Sequence, residues 1–464
     1  MAEAATGASQ DIPTMPAYVR SSAEALHPSI PKPRPQTHNS AAGVAAAPKP
    51  PTAMATPPVA DGGSTPPNFS RPLLATTVNL IPLFKRINAA YCARRRLAAP
   101  GPKYNQGYDD KEGHYIVLAG EEILQRYTAL EVLGKGSFGT VLKCFDDKRM
   151  ETVAMKITRQ GQTFRTQAKL EIDILLRLNG NPALNYLVVK LLKVFDWQGH
   201  LVLVFELLSF NLYQLIKCTR FAGVSLDLTR KFALQLIQVL RQLEAHTPPI
   251  IHCDLKPENV LLRNPHRSGI RLIDFGSACY SSKKMFKYIQ SRYYRSPEVI
   301  LGLEYTTAID RWSLGCVLVE LHTGVPLFDG KTEAQQLAKF EEVLGPLPLS
   351  MIAGSPKRKK FYEEKVSGDG AVRYVRLGAE DPCTSGRTLA SIVGVYSGGP
   401  RGSRKDQVGH DVTAYEQFVD FVRSLLVYDP AQRISCTAAL DHPFLAPLAA
   451  TEQPQKVDAS SPAQ

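Results

Sequence analysis

The feature that most constrains this 464-residue chain is a set of four polar residues spread over two neighbouring segments. The first segment, residues 251–262, reads Ile-His-Cys-Asp-Leu-Lys-Pro-Glu-Asn-Val-Leu-Leu, and the second, residues 272–276, reads Leu-Ile-Asp-Phe-Gly. The four polar residues are Asp254, Lys256, Asn259 and Asp274. A chance match of the whole set in this order is negligible. The fold must therefore bring two loops together around one shared site.

The residue types in this set are those that magnesium-dependent phosphoryl transfer needs. That reaction uses oxygen ligands for the metal ions, a base for the attacking hydroxyl and a cation at the γ-phosphate. Asn259 and Asp274 are the candidate ligands. Asp254 is the candidate base and Lys256 the candidate cation. The alternative is a degenerate, inactive site, but none of the polar groups that the chemistry requires is missing.

A glycine-rich turn lies upstream between two predicted strands. It reads Gly134-Lys135-Gly136-Ser137-Phe138-Gly139 and is followed by Val141. Glycines there let backbone N–H groups approach phosphate oxygens without a Cβ in the way. Taken alone, the pattern fits an ordinary hairpin turn equally well, and dinucleotide-binding folds share its core. A strand rather than a helix follows the glycines, which argues against a dinucleotide-binding fold.

A lysine and a glutamate complete the upstream pattern. Lys156 ends the predicted strand segment Val153-Ala154-Met155-Lys156, and Glu171 follows inside a predicted helix over about residues 166–178. A lysine that points into a cleft neutralises the α and β phosphates of a nucleotide, and a helix carboxylate holds it in place. As isolated residues, both are more commonly found at the surface.

The order of predicted elements indicates two lobes with a cleft between them. Strand-like segments dominate from Tyr127 to about residue 205, and helical periodicity dominates from residue 211 onward. A strand-rich front and a helix-rich back predict an α+β fold with a five-stranded N-lobe. Downstream, in the segment Ser296-Pro297-Glu298, Glu298 is expected to be buried and to pair with Arg433, because a buried carboxylate needs a partner.

The ends of the chain differ in composition from its centre. Thirteen of the 34 prolines fall within residues 1–70, which we interpret as a disordered tail. We expect an accessory segment over residues 71–126, an insert over about residues 353–410 and a second disordered tail over residues 449–464. The insert contains a basic cluster and a glycine-rich end, and its binding partner is not indicated by the sequence.

Charge and composition narrow the classes of partner. The formal net charge of +12 comes from dispersed lysines and arginines except at Arg94-Arg95-Arg96 and Lys357-Arg358-Lys359-Lys360. We expect both clusters on solvated loops, with nuclear import or an anionic partner as the alternative. Nucleic-acid binding is therefore disfavoured. The absence of a long apolar run predicts no membrane association, and eight scattered cysteines favour free thiols and no zinc site.

With these motifs, the chain resembles the eukaryotic protein kinases over residues 127–448. The wording of three segments is similar to the dual-specificity tyrosine-regulated kinases (the DYRK family of the CMGC group). They are His252-Cys253-Asp254, residues 205–209 (Phe-Glu-Leu-Leu-Ser) and residues 288–298 (Tyr-Ile-Gln-Ser-Arg-Tyr-Tyr-Arg-Ser-Pro-Glu). Upstream, residues 107–115 resemble the acidic box of that family. The segment before the box resembles the accessory region of one subclass.

The resemblance implies a bilobal kinase fold that binds ATP and Mg2+. It implies that adenine bonds to the backbone of Glu206 and Leu208. It also implies that apolar side chains surround the ring, namely those of Leu133, Val141, Ala154, Phe205 and Leu261. The remaining ATP contacts are expected from the glycine-rich turn and from Lys156.

The resemblance further implies that one activation-loop tyrosine is phosphorylated by the kinase on itself. Tyr288 occupies that position, and Arg292 and Arg295 are the expected partners of its phosphate. The family commonly has Tyr-x-Tyr, whereas this chain reads Phe286-Lys287-Tyr288, so only the second tyrosine is present. Because His-Cys-Asp replaces the common His-Arg-Asp, the phosphate is expected to act by local ordering.

The resemblance also implies protein substrates with serine or threonine followed by proline, often with an arginine a few residues before the acceptor. Glu258 and Glu320 are candidate carboxylates for that arginine, and a merely solvated charge is the equal alternative for each. We expect a monomer in the cytoplasm or nucleus. The alternative function is a pseudokinase scaffold that binds partners without turnover.

Overall fold

The computed structural model describes residues 80–98, 101–284, 288–366, 372–378 and 387–449. The chain divides into two compact units, of which one includes the described residues 80–95 and the other the described residues from 96 onward. The predicted tails, residues 1–70 and 449–464, lie outside the described residues except for Ala449, which ends a short helix. Helix α1 is Leu80–Ala98.

A six-stranded antiparallel sheet forms the first lobe, in the order β1-β2-β3-β4-β6-β5. Its strands are β1 (Glu122–Ile123), β2 (Tyr127–Gly136), β3 (Gly139–Asp146), β4 (Glu151–Thr158), β5 (Leu191–Trp197) and β6 (His200–Glu206). The prediction of five strands was wrong by one. The additional strand, β1, has only two residues, too few for a period-two pattern, and is held by pairing with Tyr127 and by the complete burial of Ile123.

Helix α2, Gln162–Asn179, joins β4 to β5 and confirms the helix predicted around residues 166–178. Its apolar residues Ala168, Ile174, Leu175 and Leu178 are buried at helical spacing. Gly180 closes the helix by donating its backbone N–H to the carbonyl oxygens of Leu176 and Leu178. The buried face orients Glu171 inward, where it can meet the sheet.

The second lobe is mainly helical and also contains short strand pairs. Its α-helices, leaving aside the short 3-10 turns, are α3 (Leu212–Cys218), α4 (Leu226–Ala245), α5 (Pro297–Leu301), α6 (Ala308–Thr323), α7 (Glu333–Leu344), α8 (Leu349–Ala353), α9 (Arg358–Phe361), α10 (Leu389–Val393), α11 (Val412–Leu425), α12 (Cys436–Leu440) and α13 (Ala446–Ala449). The strands are β7 (Ile250–Ile251), β8 (Val260–Leu262), β9 (Ile270–Leu272), β10 (Cys279–Tyr280), β11 (Tyr362–Val366) and β12 (Val372–Arg376). Strand β7 pairs with β10, β8 with β9, and β11 with β12. The predicted α+β, bilobal fold is confirmed.

Part of the predicted accessory segment packs against the sheet. In the acidic box, Asp109 lies 2.8 Å from the imidazole Nε2 of the buried His200, on β6. Arg96 forms a buried ion pair with Glu121 at 2.5 Å and donates to the hydroxyl of Tyr115 at 3.0 Å. The expectation that Arg94-Arg95-Arg96 lies on a solvated loop was wrong about the loop, because the cluster lies in helix α1. Arg94 and Arg95 are exposed as expected, whereas Arg96 is buried because it pairs with the buried carboxylate of Glu121.

The predicted insert contributes α9, the β11–β12 hairpin and α10 among its described residues. The second basic cluster also lies largely on a helix, not on a loop, since α9 begins at Arg358. Arg358 pairs with Glu364 at 3.1 Å and Lys360 pairs with Glu333 at 2.7 Å. None of the described helices combines the length and the apolar character that crossing a bilayer requires.

The predicted pairing of Glu298 with Arg433 is confirmed. Two guanidinium nitrogens of Arg433 donate to the two carboxylate oxygens of Glu298 at 2.6 and 2.7 Å, and both side chains are buried. Arg433 also donates to the carbonyl oxygens of Val427, Ala308 and Tyr428. This pair joins the start of α5 to the loop before α12, so it holds the end of the activation segment against the helical core.

Replacing Arg433 with methionine should destabilise the protein by about 3–5 kcal/mol, because Glu298 is then buried without a counter-charge. Chemical denaturation measures the change. The matched control is Arg358→Met, which removes a half-exposed pair and should cost less than about 1 kcal/mol. Equal losses in the two variants would contradict a special role for the buried pair.

Candidate active site

The glycine-rich turn joins β2 to β3 and leaves open space in front of it. A Cβ added at Gly139, where φ is 154°, would collide with the carbonyl oxygen of Ile157 on β4. A Cβ at Gly134 or Gly136 would meet no atom within 4 Å. Gly139 is thus required by the packing of the sheet. Gly134 and Gly136 leave room for a ligand that approaches the backbone closely, as a phosphate chain does.

The ordered face of the sheet continues from the turn. Val141 pairs with Lys156, Lys156 with Leu203, and Ala154 with Phe205. Directly paired residues share one face of a sheet, so these side chains line the same surface. Phe138 lies at the turn, with its ring centroid 6.0 Å from the Lys156 Nζ, and Ser137 is exposed beside it. Leu133 is half exposed at a bulge in the pairing of β2 with β3.

The segment after β6 connects the two lobes. The Glu206 carboxylate accepts the backbone N–H of Lys190 at 2.8 Å and pairs with Arg271 at 2.9 Å. The Ser209 N–H donates to the carbonyl of Leu262 on β8 at 2.9 Å. These contacts hold the connection beside Leu261, and Leu208 is partly buried there. A flat ring between the two lobes would meet apolar side chains from both.

Lys156 joins three elements through two carboxylates. Its Nζ lies 2.8 and 2.9 Å from the Glu171 oxygens on α2 and 2.9 Å from Asp274 Oδ1. Burial favours the neutral amine, but the attraction of Asp274 and Glu171 outweighs it and raises the pKa of Lys156. Burial likewise raises the pKa of Glu171. Burial would raise the pKa of Asp274 too, yet Lys156 outweighs it and the pKa is lowered.

A second contact reinforces the approach of α2 to this loop. The Gln167 side-chain amide donates to the Gly276 carbonyl at 2.5 Å. Phe275 is completely buried, and its ring meets the ring of His252 edge to face with centroids 5.0 Å apart. The Asp-Phe-Gly loop is thereby held with its acid toward the cleft and its aromatic ring toward the core.

Asp254, the candidate base, accepts hydrogen bonds from two directions. Its Oδ2 accepts from the Lys256 Nζ at 2.7 Å. Its Oδ1 accepts from the Ser291 hydroxyl at 2.7 Å and from the Ser291 backbone N–H at 3.1 Å. Lys256 also donates to the Ser291 hydroxyl at 3.1 Å. Ser291 was not singled out from the sequence, because only folding brings the activation segment back to the catalytic loop.

Asn259 is oriented by the same loop. Its amide nitrogen donates to the Asp254 carbonyl at 2.9 Å and more weakly to Asp254 Oδ2 at 3.3 Å. The Ile273 N–H donates to the Asn259 carbonyl at 2.9 Å, which places Asn259 beside the Asp274 loop. The structure therefore brings the six predicted residues, Lys156, Glu171, Asp254, Lys256, Asn259 and Asp274, to one cleft.

The metal ligands available there suit magnesium bound with a phosphate chain. Because the Asn259 amide nitrogen is engaged, its Oδ1 is left as the acceptor, beside the acid of Asp274. Within the described part of the chain, no group of three or more His, Cys, Asp or Glu side chains could hold a metal ion alone. Mg2+ commonly takes one or two carboxylates plus substrate phosphates, so this donor set fits it.

A buried carboxylate, Asp310, holds the backbone of the catalytic loop. It accepts the backbone N–H of His252 at 2.7 Å and that of Cys253 at 3.0 Å. Burial raises the pKa of Asp310 to about 6. Cys253 has φ of 65°, in the left-handed region that side chains disfavour, and Asp274 has φ of 58°. Asp310 therefore fixes a strained turn that presents Asp254 to the cleft.

Tyr288 is 66% exposed, and its ring lies 3.9 Å from the Arg295 guanidinium carbon. The guanidinium of Arg295, and to a smaller extent that of Arg292, lowers the pKa of Tyr288 because a cation favours the ionised phenol. The two arginines thus lie where the sequence analysis expected them. Phe286 and Lys287 lie outside the described residues.

Glu258 and Glu320 differ from the solvated charges considered as the alternative. Glu320 is 2% exposed and accepts the Tyr294 hydroxyl at 2.7 Å. Burial raises its pKa to about 7, and the nearby Glu258 adds to the effect. The Glu258 Oε2 is buried and has no hydrogen-bond partner among the described residues. An orphaned carboxylate oxygen beside a second acid is an electrostatic environment suited to a cation.

Comparisons with known proteins agree with this geometry. Residues 127–445 match the family model described as protein kinase domain. The serine/threonine-protein kinase ppk5 of Schizosaccharomyces pombe (strain 972 / ATCC 24843) is 41% identical over 339 residues. The match covers 73% of this chain and 38% of that relative, so the chain corresponds to well under half of the relative's length.

Replacing Asp310 with asparagine should loosen the catalytic loop, because an amide cannot accept hydrogen bonds from both backbone N–H groups as the carboxylate does. We expect faster amide hydrogen exchange at His252 and Cys253 and a loss of about 1–3 kcal/mol in the free energy of unfolding. Mass-spectrometric hydrogen exchange provides the measurement. Asp420→Asn, at an exposed position, is the control. Unchanged protection at residues 252–253 would rule out the anchoring role.

Proposed function

Because the chain belongs to the protein kinase family, we propose that it transfers the γ-phosphate of Mg-ATP to serine and threonine hydroxyls of other proteins. The observation that carries this proposal is the closed arrangement of the cleft. Lys156 contacts Glu171 and Asp274 at the same time, while Asp254 and Lys256 converge on Ser291. The pairing of Lys156 with Glu171 is the lysine–glutamate contact that phosphoryl transfer in this family requires.

Each residue of the cleft has a role that follows from its position. The adenine ring would lie between Leu133, Val141, Ala154, Phe205, Leu208 and Leu261. The backbone of residues 134–139 and the Lys156 ammonium would bind the phosphate chain. Asp274 and Asn259 would hold Mg2+, which when bound neutralises charge on the transferring phosphoryl group.

Asp254 and Lys256 would act on the hydroxyl group of the substrate that accepts the phosphate. Asp254 Oδ1 accepts the Ser291 hydroxyl, so an incoming hydroxyl can replace that contact without moving the carboxylate. Asp254 then orients the attacking oxygen and takes its proton. Lys256 lies 2.7 Å from Asp254 Oδ2, close enough to stabilise the negative charge that develops beside it.

We infer further that the chain belongs to the DYRK type of the CMGC group and phosphorylates its own Tyr288. The motif wording at residues 252–254 and 288–298 supports this placement. The exposed Tyr288 ring on Arg295 supports it as well, because a phosphate added there would find a cation at once. Substrate phosphorylation would then be on serine or threonine, and autophosphorylation on tyrosine.

A preference for serine or threonine followed by proline belongs to the same proposal. An upstream substrate arginine would be bound by the Glu258 carboxylate, because its buried Oε2 has no hydrogen-bond partner among the described residues. Glu320 lies near enough to affect this site, since Glu258 raises its pKa. We further propose a monomeric protein of the cytoplasm or nucleus, without a nucleic-acid partner. The presence of all six cleft residues counts against the alternative of a pseudokinase scaffold.

Replacing Asp254 with asparagine should reduce phosphate transfer to protein substrates by about 10²–10⁴-fold, because the base is lost while the shape is retained. Transfer of radiolabel from ATP measures the activity. The same variant, purified, should lack the phosphate on Tyr288 that we expect mass spectrometry to find on the chain without this substitution. Asp406→Asn, at an exposed loop position, is the matched control. Retention of normal transfer by Asp254→Asn would disprove the proposed mechanism.

Replacing Glu258 with glutamine should reduce the preference for peptides that carry an arginine before the acceptor. We expect the ratio of kcat/KM for arginine and alanine peptides to fall about tenfold, the effect of one charge-assisted contact. The ratio in the unmodified enzyme should also fall as the pH is lowered from 8 to 6, because Glu320, whose pKa is about 7, becomes neutral. Glu416→Gln, an exposed residue, is the control. An unchanged ratio in Glu258→Gln would exclude this site.

A further inference from the structure

The hydroxyl of Tyr288 lies beside a larger group of charges than the two arginines named above. Arg295, whose guanidinium lies against the Tyr288 ring, is 2% exposed and already engaged. Its Nε donates to the Ile289 carbonyl at 2.9 Å and its Nη2 to the Gln290 carbonyl at 2.8 Å. Its Nη1 has no short contact among the described residues; it lies 3.3 Å from Glu333 Oε1. That nitrogen is the one a new acceptor can capture without breaking a strong bond.

Arg292 is held less tightly than Arg295. Its Nη1 donates to the Lys331 carbonyl at 2.6 Å, one residue before the cap of α7. Both arginines are therefore oriented by backbone carbonyls, and both act on Tyr288. Two oriented guanidinium groups would bind two edges of a phosphate, and its third oxygen would face the remaining neighbour, Glu333.

The Glu333 carboxylate would repel that phosphate, because both groups are negatively charged. It lies in the first turn of α7, and its Oε2 accepts from the Lys360 Nζ at 2.7 Å. Burial opposes its ionisation, but Lys360 and the more distant Lys357 and Arg295 outweigh burial and lower the pKa of Glu333. Glu333 is therefore a carboxylate at neutral pH. A phosphate dianion brought next to it would be repelled unless a cation came between them.

Lys360 is the cation placed to do so. Its side chain is 60% exposed, whereas the Glu333 side chain is 12% exposed, so the lysine can move and the glutamate is held. A lysine ammonium on a four-carbon stem can swing from a carboxylate to a nearby phosphate oxygen with little cost. Lys359, the preceding residue on α9, is exposed and forms no ion pair with any described residue.

We propose that Arg292, Arg295 and Lys360 together form the binding site for the phosphate of phosphorylated Tyr288, and that Glu333 is the counter-ion which this phosphate displaces. The proposal rests on the proposed autophosphorylation. It joins the activation segment to α9, within the predicted insert, through a contact that exists only after modification. In the chain without this phosphate, Glu333 pairs with two of these three cations, Arg295 and Lys360.

The test measures how fast a broad-specificity tyrosine phosphatase removes the Tyr288 phosphate from the full-length chain, followed by mass spectrometry. Phosphotyrosine is introduced at position 288 by the enzyme itself or, failing that, by genetic encoding. Lys360→Gln should speed removal about threefold, the effect of one partly exposed charge pair. Lys360→Arg and the matched control Lys359→Gln should behave like the parent. Glu333→Gln should slow removal, because the competing carboxylate is gone.

A second measurement separates phosphate binding from a merely structural role of Lys360. Thermal unfolding is compared in the phosphorylated chain and in Tyr288→Phe, each with and without Lys360→Gln. The proposal requires that Lys360→Gln lowers the melting temperature more in the phosphorylated chain. Equal lowering in both, or equal dephosphorylation of Lys360→Gln and Lys359→Gln, would overturn it. An active wild-type chain without phosphate on Tyr288 would instead contradict the proposed autophosphorylation, and the encoded phosphotyrosine would still test the site.

Discussion

The arrangement of the cleft depends on one buried cation that is shared by two carboxylates. Lys156 on β4 contacts Glu171 on α2 and Asp274 on the loop after β9, so sheet, helix and loop meet at one nitrogen. Two buried acids without that cation would repel each other, and the cheapest relief would be to move α2 or the loop away. The glutamine contact from Gln167 to Gly276 supports the same closure but carries no charge. The close approach of α2 and the Asp274 loop to the sheet therefore depends on the positive charge of Lys156 remaining between the two carboxylates.

The catalytic loop illustrates how a strained backbone is maintained by partners distant in the chain. Cys253, Asp274 and Gln290 are non-glycine residues with positive φ, and all three lie beside reacting groups. Asp310 holds the first of these turns from α6, and the Gln290 N–H donates to the Cys253 carbonyl at 3.0 Å. Burial disfavours the charged form of Asp310 and raises its pKa. The two hydrogen bonds from the backbone N–H groups offset this desolvation penalty. The strained backbone of this loop lowers the stability of the folded protein, and the same contacts hold Asp254 in one orientation.

Much of this site could be predicted from the sequence because its residues occur in short motifs with strict spacing. Asp254, Lys256, Asn259 and Asp274 fall within two local segments, and the two-lobed α+β fold followed from the order of strand and helix patterns. Contacts between segments distant in the chain could not be read in this way. Ser291 reaches Asp254 only through the folded activation segment, and Arg96 is buried only because Glu121 lies opposite it. Glu320 was predicted as a candidate carboxylate for a substrate arginine, with a solvated charge as the equal alternative, and its burial and its contact with Tyr294 could not be read from the sequence because Tyr294 lies 26 residues away in the chain.

The side chain of Phe205 has a consequence for small molecules. It is buried on the same face of the sheet as Ala154, with which it pairs directly, and it borders the space assigned to the adenine ring. A compound with a substituent that extends past this point would collide with the phenyl ring in the natural protein. Shortening Phe205 to alanine would remove a large buried side chain and leave a hole of matching shape. Such a compound would then inhibit the altered chain selectively and leave the unaltered one untouched, which offers an orthogonal chemical handle on a single enzyme in a mixture of relatives.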